Sequence, residues 1–93
     1  MPRGVWLSNA AVQDLERIRA WLTQPGAGIV AATKLADLLE SLADLPDTAM
    51  RYPIDPDRPS HRYVAQHGYW IRFRIGRDFI FVSRVFGPGQ NRR

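Results

Sequence analysis

The apolar positions of the chain change period about half-way along it. Val5, Trp6 and Leu7 make a short β-prone run that stops at Ser8, a residue suited to capping a helix. Beyond it Ala11, Leu15, Ile18 and Leu22 recur at helical spacing, with Asp14, Glu16, Arg17 and Arg19 elsewhere on the wheel. That pattern predicts an amphipathic helix, and Trp21 widens its apolar stripe. Gln24-Pro25-Gly26-Ala27-Gly28 then breaks the pattern. A second helix is predicted from about 29 to 45, with Leu35, Leu38, Leu39, Leu42 and Leu45 on one face and Pro46 as its stop. Two amphipathic helices across so short a break read as an antiparallel hairpin with both stripes turned the same way.

Residues 47–60 carry Pro53, Pro56 and Pro59 with Asp55 and Asp57, the composition of an irregular connecting loop. After it the period drops to two. Runs at 61–66, 69–75 and 78–86, separated by His67-Gly68 and Gly76-Arg77, predict a three-stranded antiparallel meander. Tyr69, Ile71, Phe73 and Ile75 alternate with Trp70, Arg72 and Arg74, so one face should receive the helices while the other carries indole and guanidinium. Two-residue turns would set Phe73 opposite Ile80, Ile71 opposite Val82, Arg74 beside Phe79, Arg72 beside Phe81, and Trp70 between Ala65 and Ser83. Tyr63 and His61 would share that second face, and a single bulge would exchange the faces for part of a strand. The expected fold class is α+β: a strand, a two-helix hairpin, then a meander packed on the helices. Trp6 and Trp21 are assigned to the core.

Length and composition narrow this further. Ninety-three residues suit a single domain, 1–93, and 45% apolar residues with 11% aromatics suffice to fold it. The absence of cysteine excludes disulfides, thiolate metal sites and cysteine nucleophiles. Neither a signal-peptide run nor a membrane span is evident, so the expectation is a cytoplasmic protein with no membrane association. Charge is unevenly divided. Through Asp47 the chain holds four basic and six acidic residues, and from Thr48 onward nine arginines face three aspartates. The basicity therefore belongs to the meander and to the tail at 87–93, which reads as flexible. All basic residues but Lys34 are arginine, suited to forked contacts with phosphates or carboxylates, which implies an acidic partner.

Several segments resemble the ParE/RelE toxins of type II toxin–antitoxin systems, and the resemblance spans nearly the whole chain. Leu7-Ser8 followed by Ala11, Asp14-Leu15 and Ile18 is similar to the family's opening helix. Leu42-Ala43-Asp44-Leu45-Pro46 is similar to the end of its second. Arg62 stands where these toxins often carry an arginine entering the meander, Tyr69 to Ile75 resembles their tyrosine-x-isoleucine-x-tyrosine strand, and Ile80 to Val85, ending Ser83-Arg84-Val85, resembles their last strand. Two positions depart from the pattern: Gly87, where a histidine commonly follows the last strand, and Trp70, where ribosome-dependent nucleases usually have an arginine.

The resemblance implies one of two activities. RelE-type toxins cut messenger RNA at the ribosome, which requires groups to deprotonate a 2′-hydroxyl, steady the phosphate and protonate the leaving oxygen. Here Arg62, Arg72 and Arg84 would serve the middle task, but no tyrosine follows Tyr69, and His61 and His67 lie early in the meander. ParE-type toxins lack such residues and bind DNA gyrase. The sequence favours the ParE-like reading: a non-catalytic gyrase inhibitor neutralised by a cognate acidic antitoxin in a hetero-oligomer, with no cofactor or metal. The alternative is a RelE-like, ribosome-dependent endoribonuclease, and the blandest reading is an inactive relative. Contact residues for target or partner are Trp70, Arg72, Arg74 and Arg84, joined through the resemblance by Gln90, Arg92 and Arg93. Against these roles stand ordinary ones: Trp70 packing on the tail, Arg62 bridging loop to sheet, and His61 and His67 as plain strand-end and turn residues.

Overall fold

Ser8 begins the first helix as its chemistry predicts: its backbone is extended and its hydroxyl accepts from the Ala11 N–H at 3.0 Å. The computed structural model describes residues 4–92. Within them the chain forms β1 (Gly4–Leu7), α1 (Asn9–Leu22), α2 (Gly28–Thr48), a 3-10 turn (Ala49–Arg51), β2 (Ile54–Asp55), β3 (Arg58–Gln66), β4 (Tyr69–Ile75) and β5 (Phe79–Phe86). The strands make one sheet of order β1-β5-β4-β3-β2, with β1 parallel to β5 and the other pairs antiparallel. The fold is α+β, as expected, but the meander is the centre of a five-stranded sheet.

Both helices cover one face. Ile18 and Leu22 of α1 and Leu38, Leu42 and Leu45 of α2 pack against Val64, Tyr69, Ile71, Phe73, Ile80, Val82 and Val85. Pro46 does not end α2, which continues to Thr48. The proline sits in the last turn, where the ladder is nearly complete, and Leu45 beside it is fully buried, so packing outweighs the missing N–H. The stretch expected to be irregular loop holds the end of α2, the 3-10 turn, β2 and the start of β3. Leu39 is 48% exposed, and Trp6 and Trp21, assigned to the core, are 59% and 66% exposed. Trp21 falls beyond the sheet-facing side of α1, and Trp6 points off the edge strand, where its ring meets Phe79 edge-on at 6.2 Å.

The hairpin turns decide the register. His67 and Gly68 both take positive φ, the geometry of a tight two-residue turn, and Trp70 pairs with Ala65 as expected. The second turn is longer. A side chain at Gly76 would lie 2.4 Å from the Phe81 ring and 2.8 Å from the Phe79 carbonyl, so only glycine lets the chain close there. Phe73 consequently pairs with Val82 rather than Ile80, and Arg74 with Phe81. The register then shifts between Arg72 and Phe73: Ser83 is the extra residue, after which Arg72 faces Arg84, Ile71 faces Val85 and Trp70 faces Phe86. The bulge lets both Val82 and Val85 enter the core and sends Arg84 to the opposite face.

Four residues of β1 pair with only the first half of β5, leaving an open edge beyond Val82. The start of α1 closes it. Ser8 donates through its hydroxyl to the Ser83 carbonyl at 2.7 Å, and the Val85 N–H donates to Asp14 Oδ2 at 2.9 Å. Asp14, expected off the apolar stripe, is 2% exposed and lies on the buried side of α1 with Ala11, Ile18 and Leu22, because the open edge of β5 needs its carboxylate. Replacing Asp14 with Ala should cost about 3 kcal/mol or more, because Val85 N–H and the Arg84 guanidinium would lose their buried acceptor. Urea denaturation checks this against Glu16→Ala, an exposed carboxylate on the same helix whose loss should stay within about 0.5 kcal/mol.

Candidate functional site

The face of the sheet away from the helices carries the residues singled out from the sequence. Alternation places Trp70, Arg72 and Arg74 of β4 there, beside His61 and Tyr63 of β3 and Phe81, Arg84 and Phe86 of β5. A fully buried carboxylate, Asp55 of β2, organises its middle. Asp55 Oδ2 accepts from Trp70 Nε1 at 3.0 Å and Arg72 Nε at 2.9 Å, while Oδ1 accepts from the Asp57 N–H at 2.8 Å. Burial raises the Asp55 carboxyl pKa, but the hydrogen bonds from Trp70, Arg72 and the backbone more than offset this and hold it below its ordinary value.

Trp70 is not a free aromatic. Tyr63 stacks on it at 3.7 Å with the planes 3° apart, and the Arg92 guanidinium covers it at 4.0 Å. Arg72 is buried, and beyond Asp55 it donates to the Arg92 carbonyl at 2.9 Å. Arg72, expected as a contact residue for a target, holds the sheet to the tail. Arg84 grips Asp14 with two hydrogen bonds of 2.7 and 3.1 Å and stays 38% exposed. Burial raises the Asp14 pKa too, and Arg84, the Val85 N–H and Arg17 bring it below its ordinary value, while Asp14 pushes Arg84 up. Arg72 and Arg84 lie 5.0 and 4.8 Å from the centre of the Phe86 ring, and exposed Arg74 lies 4.8 Å from that of Phe81.

The tail, read as flexible, folds back along the molecule. Gln90 Oε1 accepts from the Gly87 N–H at 2.9 Å and from Arg17 at 3.3 Å, and Arg92 Nε comes within 3.9 Å of Asp57. Arg93 lies outside the described residues. Arg62 pairs with Phe73 on the helix-side face and donates to the Tyr52 carbonyl, bridging loop to sheet. Arg62, Arg72 and Arg84 therefore do not form one cluster, since the first is on the other face of the sheet. His67 bonds Asp37 of α2 at 2.7 Å, and His61 bonds its neighbour Ser60 at 2.9 Å. His61 is held below its ordinary pKa by burial and then by the charges of Arg72 and Arg74.

A second surface lies at the turn end of the helical hairpin, where α1 hands over to α2. Trp21, Ile29 and Val30 are 66%, 80% and 66% exposed. Beside them a cleft of about 480 Å³ runs between the helices and the tail, floored by Ile18, Leu22 and Tyr69 and flanked by Arg17 and Lys34. A helical-hairpin groove suited to an acidic amphipathic peptide is expected from the sequence, but the exposure of Trp21 and the two buried carboxylates are not. Asp14 carried a signal, being a carboxylate three residues after Ala11 and four before Ile18 on a buried stripe. Asp55 carried none beyond its place among prolines.

The family model for the ParE toxin of type II toxin-antitoxin systems, parDE, matches residues 5–91. The chain belongs to the ParE toxin family. A solved structure described as the chromosomal ParDE TA system from P. aeruginosa superposes on 95% of this chain and 97% of that one, with a TM-score of 0.73 at 19% identity, which shows the shared fold. No curated protein matches the chain. The family favours the ParE branch over the RelE-like alternative, and a toxin of this family is the toxin half of a toxin–antitoxin pair. Among the described residues there is no group of side chains able to hold a metal ion, and no helix long and apolar enough to cross a membrane.

Because Asp14 and Asp55 both have folded-state pKa values below the ordinary 3.8, their stabilisation is fully present above that value and is lost as pH falls through the lower folded-state values. Thermal stability of this ParE toxin should hold from neutral pH to about pH 5 and fall steeply below pH 3.8. Asp14→Asn should flatten part of that fall, as melting curves across the range would show.

Proposed function

We propose that this ParE toxin arrests growth by binding DNA gyrase in the cytoplasm, and that an acidic antitoxin neutralises it by wrapping the toxin in a hetero-oligomer. The observation that carries the reading is the ParE toxin family match across residues 5–91. Two features of the molecule support binding over cleavage. Arg62 stands apart from Arg72 and Arg84, so the arginine set that a RelE-like reaction would draw on is divided between two faces. Trp21, Ile29 and Val30 beside Arg17 and Lys34 form an apolar patch with a cationic rim, the chemistry that receives an acidic amphipathic segment.

Purified toxin should inhibit gyrase supercoiling and raise the amount of cleaved DNA bound to gyrase; unchanged levels of both would remove gyrase as the target. Trp21→Ala should leave the melting temperature nearly unchanged, because the side chain is exposed. It should weaken binding of the cognate antitoxin about thirtyfold, as loss of a central aromatic anchor does. Titration calorimetry measures this, and equal affinity for both forms would move the antitoxin off the hairpin patch.

A further inference from the structure

The outer face of the sheet contains a concavity of about 280 Å³ on the opposite side of the sheet from the helical hairpin. Arg58, His61, Arg84, Phe86 and Arg92 line it, above Arg72. Its guanidiniums come from β3, β4, β5 and the tail, so they converge from several sides, whereas a planar carboxylate needs only one fork.

Not all of this charge is spent internally. Arg84 uses Nε and Nη2 on Asp14, and its Nη1 has no hydrogen bond among the described residues. Arg58 is exposed and bonds only the Asp57 carbonyl there, at 3.1 Å. Arg92 Nε has no hydrogen-bond partner among the described residues, its nearest carboxylate being 3.9 Å away. His61 senses the balance: after burial, its pKa is lowered by Arg72, Arg74 and Arg58 against a single opposing carboxylate, Asp55. Four guanidiniums, Arg58, Arg72, Arg84 and Arg92, face three carboxylates, Asp14, Asp55 and Asp57, so the concavity keeps net positive charge and free donors.

The geometry points to a phosphate-binding site in this concavity, formed by Arg58, His61, Arg84 and Arg92. The phosphate is either a free anion or one unit of a nucleic-acid backbone. Bases take no part, because the nearby rings are already covered: Trp70 by Tyr63 and Arg92, and Phe86 by Arg72 and Arg84. Recognition is therefore of charge and shape and is independent of sequence. No step of cleavage is involved, and the site stands whether or not gyrase is the target.

The test follows the His61 ring by NMR while inorganic phosphate or a single-stranded deoxyoligonucleotide is added to the full chain at low salt. Bound phosphate should shift the ring resonances and raise the His61 pKa. If the oligonucleotide acts at about 1–100 µM and weakens with added salt, the backbone is the source. If only inorganic phosphate acts, the site takes a free anion. Arg58→Gln, which removes an exposed side chain, should weaken either ligand about tenfold, the loss of one charge-assisted hydrogen bond. Arg19→Gln, an equal change of charge on exposed α1 surface, should not. The proposal is overturned if neither ligand moves His61, or if both variants bind as the unaltered protein does. Equal weakening by both variants also overturns it, since attraction would then come from net charge alone.

Discussion

A strand of four residues cannot cover a strand of eight, and much of this molecule follows from that mismatch between β1 and β5. The backbone groups of β5 beyond Val82 need partners, because a strand edge left open costs hydrogen bonds or invites another chain. Helix α1 begins where β1 stops, so Ser8 and Asp14 arrive at that edge as side-chain substitutes for a longer β1. A carboxylate placed there must stay ionised and paired, and Arg84 is turned toward it only because Ser83 bulges out of the ladder. Cap, bulge and ion pair are thus one solution to one geometric problem. None of the three would be stable in its present form without the others.

Asp55 does on the far side of the sheet what Asp14 does on the near side. It stands on a two-residue strand that has little pairing of its own, and its hydrogen bonds to Trp70 and Arg72 fasten that strand to the centre of the meander. The guanidiniums on this face are spread over aromatic rings and two buried carboxylates, which keeps so many like charges tolerable in one place. The compensation is incomplete: burial first, and then the charges of Arg72 and Arg74, hold His61 below its ordinary pKa. Arg72 and Trp70 are best understood as the frame of the face. Arg58, Arg74 and Arg84 are the parts of it that solvent meets.

Period and punctuation made the helices, the three long strands and the first turn legible in the sequence, because each is a local pattern reinforced by burial. What escaped was set by distant partners. Pro46 signals a helix end locally, yet Leu45 is held in the core and carries the helix past it. The Phe73–Val82 register depends on a turn two residues longer than expected, and the pairing beyond Phe73 on one bulge, neither of which has a spacing signature. Trp70 and Arg72 read correctly as neighbours on one face, but their capture by Asp55 was invisible, since that contact crosses from a proline-rich segment with no periodicity. Trp6 and Trp21 failed in the opposite direction: hydrophobicity placed them inside, while their positions on the edge strand and the far flank of α1 put them out.

That last error bears on how such a toxin lives with its partner. Trp6, Trp21, Ile29, Val30 and Leu39 together leave more large apolar surface on the helix side and strand edge than the sheet's arginine face shows. Burying it against an antitoxin would stabilise the folded toxin by mass action, in proportion to how far the partner exceeds its dissociation constant. The residues that hold the fold, Asp14 and Asp55, lie beneath other side chains, so a partner can cover the apolar patch without disturbing them. A partner seated on the hairpin would therefore leave intact the sheet that displays the arginines.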